Sequence, residues 1–289
     1  MNFYIGCSGW SYSGWKGTFY PKGMESKDYL SYYSKFFNFV EIDSTYYTIP
    51  SRFAVRAWKD KTPSDFKFTL KFPKIITHEK KLEDVSKPLS IFFTALEPLI
   101  DKTLLLLIQL PPYLSAKKGF KSLQIMTRNL DTRFRYALEV RDASWFEDKI
   151  YDFLKEENMS LVWSVREELT TPTVITADQL YTRFIGDRSI NEKDFGKVVK
   201  DRTKEMMEYA KHFKEMQNAE TNVRDVLIAF NNHFAGFGPQ SVNDFLKVMN
   251  NPEISWKREI ESRQQNNSNQ SVGNYQSSLS DFSNFQYKF

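Results

Sequence analysis

The segment Leu104-Leu105-Leu106-Leu107-Ile108-Gln109 is apolar at five consecutive positions, and Pro111-Pro112 follows it. A strand with one face in water alternates apolar and polar residues, whereas a strand buried on both faces does not. This segment therefore predicts a strand of a parallel sheet that is covered on both sides. Parallel strands need crossover connections, usually helices, and the flanking sequence supplies them.

Seven further apolar segments alternate with helical patterns on either side of this strand. The predicted strands are 3–5, 39–43, 66–71, 104–109, 136–140, 161–163, 180–184 and 226–230. Helical spacing occurs between them, for example in 27–37, 88–96, 117–130, 145–157 and 194–217. Eight such units over about 250 residues predict an α/β fold, a parallel eight-stranded (β/α)8 TIM barrel. A doubly wound open sheet is the alternative, but no break separates two halves.

The composition changes near the C-terminal end, where Gln264-Gln265-Asn266-Asn267-Ser268 begins a segment rich in Ser, Asn and Gln. Such a segment buries too little apolar surface to offset the entropy of ordering. We therefore divide the chain into a barrel domain, residues 1–255, and a low-complexity C-terminal tail, residues 256–289, which is predicted to be disordered.

The overall composition is that of a globular protein with a weak positive charge. The chain has 289 residues, with 40 Lys and Arg and 36 Asp and Glu, for a formal net charge of +4. This excess is spread along the sequence, so it permits an anionic partner without demanding one. Cys7 is the only cysteine, which excludes an internal disulfide. With no signal-peptide pattern and no long apolar run, a cytoplasmic protein without membrane contact is expected, of open oligomeric state.

Polar and aromatic residues gather where the predicted strands end. TIM barrels carry their functional residues at the carboxyl ends of the strands. We therefore expect a ligand-binding site there. Its candidate ligand-binding residues are Ser8, Trp10, Tyr12, Trp15, Asp43, Tyr46, His78, Gln109, Arg141, Trp145, Arg183, Asn231 and Asn232.

The charged residues of two strands have a spacing of two. Glu41 and Asp43 share one face of their strand, and Glu139 and Arg141 share one face of theirs. If both faces point into the barrel, these groups meet Lys71 and Arg183 at one mouth. Charges are rarely buried without partners. The cluster is thus either a set of structural ion pairs or a site for an anionic or polar ligand, and the second reading is preferred.

The loop after the first strand, residues 6–21, combines four glycines with five aromatic residues. Glycines allow tight turns and close backbone approach, so the loop could cradle a phosphate. It lacks the Gly-Lys-Ser/Thr ending of a P-loop. Its tryptophans either stack on a base or sugar or cap the barrel, and the sequence leaves both open.

Several motifs occur together along the barrel domain. They are Gly6-Cys7-Ser8-Gly9-Trp10-Ser11-Tyr12, Trp15, Phe19-Tyr20-Pro21, Glu41-Ile42-Asp43-Ser44-Thr45-Tyr46-Tyr47, Lys71, Thr77-His78, Gln109-Leu110-Pro111-Pro112, Glu139-Val140-Arg141, Ser144-Trp145, Tyr181-Thr182-Arg183 and Asn231-Asn232. With them the chain resembles the YecE-like family, domain of unknown function 72. The resemblance implies a TIM barrel and no established reaction. The chain departs from the family pattern at Cys7, Asp43 and Ile185, where Thr, Asn and His are usual.

Two functions follow as hypotheses, and whether the protein is an enzyme is left open. In the first, Glu41 or Glu139 is the general base or acid, while Lys71 and Arg183, with Arg141, hold a phosphate or carboxylate. The reaction would be hydrolysis or isomerisation of a phosphorylated or sugar-like ligand. Asn231 and Asn232 would orient that ligand.

The alternative is nucleic-acid binding through the Lys/Arg-rich segments 117–135 and 197–204 and nearby aromatic residues. A third, plainer reading is a protein partner bound by the tail. The three histidines are too few for the clustered zinc of a barrel nuclease. No cofactor or metal is required, and a single Mg²⁺ or Mn²⁺ held by Glu41, Asp43 or Glu139 is left open.

Overall fold

The computed structural model describes residues 1–219 and 221–256, and nine strand segments form one parallel sheet within them. The strands are β1 (Asn2–Ser8), β2 (Phe39–Ile42), β3 (Lys67–Lys71), β4 (Thr103–Gln109), β5 (Tyr136–Glu139), β6 (Ser160–Leu161), β7 (Trp163–Val165), β8 (Gln179–Phe184) and β9 (Asp225–Phe230). Their order across the sheet is β6-β5-β4-β3-β2-β1-β9-β8-β7.

The two ends of this order are consecutive pieces of one strand. Only Val162 separates β6 from β7, and its backbone N–H donates to the carbonyl of Leu138 over 2.9 Å. β6 pairs with β5 and β7 pairs with β8, so the sixth barrel strand closes the ring. The predicted eight-stranded TIM barrel is therefore confirmed, with its sixth strand in two pieces.

Helices connect most of the strands and cover the outside of the barrel. They are α1 (Tyr29–Tyr33), α2 (Arg52–Asp60), α3 (Ser86–Leu96), α4 (Ala116–Thr127), α5 (Asp148–Glu156), α6 (Thr203–Asn218), α7 (Asn232–Ala235) and α8 (Gly238–Val248), with a π-helix at Ile75–Glu79. In the part of the chain that the structure describes, none of these helices is long and apolar enough to span a membrane.

Two predicted helices are shorter than expected. The helix predicted at 27–37 is reduced to α1, because the chain turns after Tyr33 to bury Phe36 and Phe37 in the core. The helix predicted at 194–217 begins only at Thr203. Before it, Gly196 has a φ of +96° and lies so close to the carbonyl of Gly14 that a Cβ would be 2.1 Å from that oxygen. Packing against the first loop thus excludes helical backbone there.

Alternation along the strands divides the apolar residues into two layers. The outer layer packs between strands and helices. The inner cluster contains strand residues only, including Phe39, Leu107, Tyr181 and Leu227, and it fills the barrel. Since Glu41 and Arg183 lie two residues beyond Phe39 and Tyr181, they also point inward, above this apolar plug.

The first predicted tail residue, Trp256, is part of the described structure. Its indole Nε1 donates to the carbonyl of Thr18 over 2.9 Å, and its ring packs against Phe19 with centroids 5.4 Å apart. The packed structure therefore reaches residue 256. The rest of the predicted tail lies outside the described residues.

Candidate ligand site at the barrel mouth

Arg183, at the end of β8, lies at the centre of the mouth and is 2% exposed. Its Nε is 2.7 Å from Glu41 Oε2, and its Nη2 is 2.6 Å from Glu41 Oε1. Nη1 donates to Glu139 Oε2, and Nη2 lies 3.5 Å from Asp43 Oδ1. All three guanidinium nitrogens therefore face carboxylates, and for this residue the structural ion-pair reading describes what is seen.

The network continues on both sides of Arg183. The Tyr181 hydroxyl donates to Glu41 Oε2, and Thr69 Oγ1 lies 3.2 Å from the Tyr181 oxygen. On the other side, Arg141 donates from Nε to Glu139 Oε1 over 3.2 Å and from Nη2 to Gln109 Oε1 over 2.8 Å. Side chains of five strands are thus joined across the barrel. The sequence analysis included neither Tyr181 nor Thr69 among the site residues, although both occupy strand positions that face the barrel interior.

The two glutamates have pKa values that are shifted in opposite directions. Burial raises the pKa of Glu41 against the pull of Arg183, and the negative charge of Asp43 adds to the rise. Burial also acts to raise the pKa of Glu139, but Arg183, Arg141 and Lys71 outweigh it and lower the value to about 2. Glu139 is therefore a carboxylate at neutral pH.

Lys71, the last residue of β3, is 8% exposed, and its Nζ lies 4.2 Å from the centroid of the Tyr46 ring. Within residues 1–219 and 221–256, no acceptor forms a hydrogen bond with Nζ. Burial lowers the pKa of Lys71, opposed by Asp43 and assisted by Arg183. A buried amine without a hydrogen-bond acceptor is unusual, because buried ammonium groups are normally paired with an acceptor or a carboxylate.

His78, in the π-helix after β3, belongs to the same corner of the mouth. Its ring packs edge-on against Tyr46 with centroids 5.0 Å apart, and its Nδ1 lies 2.8 Å from Thr77 Oγ1. Burial, together with the positive charges of Lys71 and Arg141, lowers the pKa of His78 to about 4. A neutral imidazole therefore lies beside the amine at neutral pH.

Other polar atoms at this end of the barrel are also buried without a hydrogen-bond partner among the described residues, and they include Ser8 Oγ, Asp43 Oδ1 and Ser164 Oγ. Ser164 is opposite Arg183 in the pairing of β7 with β8. The sequence analysis does not include Ser164, because its predicted sixth strand ends at residue 163. Buried polar groups are usually paired, so these atoms are candidates to bind a water or a ligand atom.

Several predicted ligand-binding residues have partners within the protein. Trp15 is fully buried and donates from Nε1 to Asn232 Oδ1 over 3.1 Å, while Asn231 accepts from the backbone N–H of His233. Trp145 is fully buried and donates to the carbonyl of Leu114 over 2.7 Å. These four side chains pack or cap elements of the barrel, and their role in ligand binding stays a prediction.

The remaining two aromatic candidates of the first loop are half-buried. The Tyr12 hydroxyl donates to the carbonyl of Ser8 over 2.6 Å, and the Trp10 ring lies 6.3 Å from that of Trp58. Both stay next to the mouth. Among the described residues, no group of three or more His, Cys, Asp or Glu is placed to hold a metal ion.

The fold and this network define a TIM-barrel protein with a hydrogen-bonded charge cluster across the mouth at the carboxyl ends of its strands. The chain belongs to the DUF72 family, because the profile described as "Protein of unknown function DUF72" matches residues 4–265. The resemblance derived from the motifs is thereby confirmed.

The similar proteins have names that state no activity. UPF0759 protein YunF of Bacillus subtilis (strain 168) is 26% identical over 273 residues, 85% of this chain and 94% of that protein. UPF0759 protein YecE of Escherichia coli (strain K12) is 32% identical over 146 residues, 50% of each. A solved DUF72 family protein of Thermotoga maritima MSB8 has a TM-score of 0.71 at 27% identity, covering 86% of this chain and 100% of that one. For one of Enterococcus faecalis V583 the TM-score is 0.70 at 20% identity, covering 86% and 96%.

Proposed function

We propose that the barrel mouth binds a small phosphorylated or sugar-like anion and that the protein is an enzyme that hydrolyses or isomerises it. The observation that carries this proposal is Lys71, a buried amine without a hydrogen-bond acceptor in the described structure. An incoming phosphate or carboxylate oxygen would supply the acceptor that the protein itself does not. Such an interaction has a strong electrostatic component because the site excludes most water.

The hydrogen bonds favour a particular division of roles among the charged residues. Both oxygens of Glu41 and both oxygens of Glu139 already accept from arginines. A carboxylate with a pKa of about 2, as in Glu139, is a weak base at neutral pH. We therefore assign Glu41 and Glu139 to fixing Arg183 and Arg141, which set the positive potential at the floor of the site.

Asp43 and His78 are better placed for proton transfer. Asp43 is half-buried, and its Oδ1 has no hydrogen-bond partner among the residues described. His78 is half-buried, and its depressed pKa keeps it neutral, so it is available to donate or accept one proton. Lys71 interacts electrostatically with both groups: Asp43 is the carboxylate that acts on it most strongly, and its own charge acts on His78.

A thermal-shift panel on the purified chain tests ligand binding. The panel contains inorganic phosphate, ribose 5-phosphate, glucose 6-phosphate, AMP, MgCl₂ and MnCl₂. A ligand that binds only the folded state raises the Tm, and the rise grows with the ratio of free ligand concentration to Kd. We expect a shift with at least one phosphorylated compound. If none of the phosphorylated compounds raises the Tm, the proposal fails.

Phosphorus NMR of the same compounds, incubated with the chain, separates the two reaction classes. Hydrolysis releases inorganic phosphate, whereas isomerisation yields a new sugar phosphate resonance with no phosphate released. Asp43→Asn and His78→Gln are expected to abolish turnover, whereas Tyr47→Phe serves as a rim control. Full activity in both of the first two variants would overturn the assigned roles.

Nucleic-acid binding is a second candidate function, because exposed tyrosines and lysines lie around the mouth. Tyr47 and Tyr113, which follow β2 and β4, are 71% and 58% exposed, and Lys117, Lys118 and Lys121 are exposed on α4. Aromatic faces and lysines of this kind bind single strands. A Tm shift with a short oligonucleotide that disappears between about 50 mM and 200 mM salt would favour this function.

A further inference from the structure

The part of the chain that the structure describes contains two buried lysines, and they differ completely in their surroundings. Lys102 is 4% exposed, and its Nζ donates to the carbonyls of Lys59, Thr62 and Pro63 and to the Thr62 hydroxyl, over 2.7–3.0 Å. Lys71 is 8% exposed and donates to none of the described residues. Lys102 therefore has the environment of a structural ammonium group, and Lys71 does not.

Burial reduces the stability of the protonated form of Lys71. Burial is the main cause of its lowered pKa, and Arg183 adds to it. Asp43, Glu139 and Glu41 oppose this, but the two glutamates are already held by arginines. The charged groups that act on Lys71 are Glu41 in β2, Asp43 directly after it, Glu139 in β5 and Arg183 in β8. The Tyr46 ring lies against Nζ, and the charge of Lys71 acts on His78. A desolvated lysine beside a cationic group is the usual setting of a nucleophilic amine.

We propose that Lys71 forms a covalent imine with an aldehyde or ketone carbon of the substrate. The inference rests on the proposed function, because it assumes that the ligand reaches the mouth where Nζ lies. It narrows the substrate class to carbonyl compounds that also carry an anionic group. Arg141, which is partly exposed at the same mouth, is the residue that faces that group.

The chemistry balances without an oxidant or reductant. The Nζ lone pair attacks the carbonyl carbon and forms the C–N bond, while the π electrons move to oxygen, which takes a proton. His78 and Asp43 are the groups near Nζ that move this proton and the one lost by nitrogen. The hydroxyl group then takes a second proton through the same two groups and leaves as water, while the nitrogen lone pair forms the C=N bond of a protonated imine. Protonated, this bond withdraws electrons and acidifies the adjacent carbon, which is the step an isomerisation needs.

Reductive trapping tests the proposal on the unmodified full chain. The chain is incubated at pH 7 with glyoxylate and cyanoborohydride, and carboxymethylated lysines are quantified by peptide mass spectrometry. We expect Lys71 to be labelled faster than Lys211, whose side chain is 77% exposed, because the lowered pKa of Lys71 leaves more of its amine neutral at pH 7. Lys102 is the buried control and should remain unlabelled. Labelling of Lys71 at or below the rate of Lys211 would overturn the proposal.

Acetaldehyde and inorganic phosphate separate this proposal from the proposed function. Preferential labelling by glyoxylate over acetaldehyde, with protection by phosphate, supports both the imine and the anion site. Equal labelling of Lys71 by both aldehydes, without protection by phosphate, supports the imine and removes the anion site. A phosphate-dependent Tm shift without labelling of Lys71 keeps the anion site and overturns the imine.

Discussion

Arg183 and Glu41 form a two-point ion pair at the floor of the mouth, with Nε 2.7 Å from Oε2 and Nη2 2.6 Å from Oε1. Both side chains are buried, at 2% and 0% exposure. The planar guanidinium matches both carboxylate oxygens at once, which fixes the positions of the two strands they come from. The other charged groups of the mouth are therefore arranged around this buried ion pair.

Replacing Arg183 by Met should destabilise the protein by about 3–5 kcal/mol, because Glu41 then becomes a buried charge without a counterion and Glu139 keeps only its ion pair with Arg141. Urea unfolding followed by circular dichroism measures the change. The triple variant Arg183→Met, Glu41→Gln, Glu139→Gln removes those charges and should recover much of the loss. A loss below about 1 kcal/mol in Arg183→Met would contradict the central role of this ion pair.

The lowered pKa of Glu139 predicts a loss of stability in acid. In the folded protein this pKa is about 2, whereas an unfolded glutamate titrates near about 4.3, so the unfolded state binds more protons between these values. The contribution is complete above about pH 5 and is lost as the pH falls towards 2. Its size is of the order of 3 kcal/mol.

Unfolding of wild type and Glu139→Gln from pH 7 to pH 2 measures this contribution. The difference between the two free energies of unfolding should shrink steadily as the pH falls. Glu25→Gln removes a carboxyl whose side chain is 69% exposed and serves as the control, with a difference near zero at every pH. A difference for Glu139→Gln that is independent of pH would refute the prediction.

His78 should titrate near pH 4 in the folded protein, since burial, Lys71 and Arg141 all disfavour the imidazolium form. Proton NMR of the imidazole resonances measures the midpoint directly. Lys71→Met removes one positive neighbour and should move the midpoint upwards. A midpoint close to 6.5 in both proteins would show that His78 lies in an ordinary solvated environment.

The two buried lysines should respond in opposite ways to the same substitution. Lys102→Met leaves several buried oxygens without a donor, and we expect it to cost at least about 2 kcal/mol. Lys71→Met removes an amine without a hydrogen-bond acceptor in the described chain and should change stability by less than about 1 kcal/mol. Residues retained for function commonly contribute little to stability. Equal costs measured by urea unfolding would place Lys71 among the structural lysines.

Much of the fold could be predicted from periodicity. The segment at residues 104–109, which is apolar on both faces, indicated a buried parallel strand, and the repeated strand–helix units indicated the barrel. The short sixth strand was placed, but its break at Val162 was not, because two-residue and three-residue pieces carry no measurable period. The late start of α6 was missed because the preceding segment has charged helical spacing and is held open by tertiary contact with Gly14.

The sequence predicted which charged residues gather at the candidate site, but it did not predict the contacts that each of them makes. The spacing of two brought Glu41, Glu139 and Arg141 to the correct face. Sequence spacing cannot tell a tryptophan exposed at the mouth from a buried one, and the structure shows that Trp15 and Trp145 are both buried. Likewise it could not distinguish Arg183, which has carboxylate partners, from Lys71, since that difference depends on contacts between distant strands.

Calorimetric titration of the full chain with inorganic phosphate, in wild type and in Lys71→Met, tests the ligand site most directly. Lys102→Met is the control if it folds. If it does not fold, Lys67→Met, at the opposite end of β3, takes its place. We predict binding to wild type and to the control, and at least about tenfold weaker binding to Lys71→Met, because one charge-assisted hydrogen bond contributes about 1.5–3 kcal/mol. Equal affinity of wild type and Lys71→Met, or no binding to either, would contradict an anion site at the mouth of this barrel.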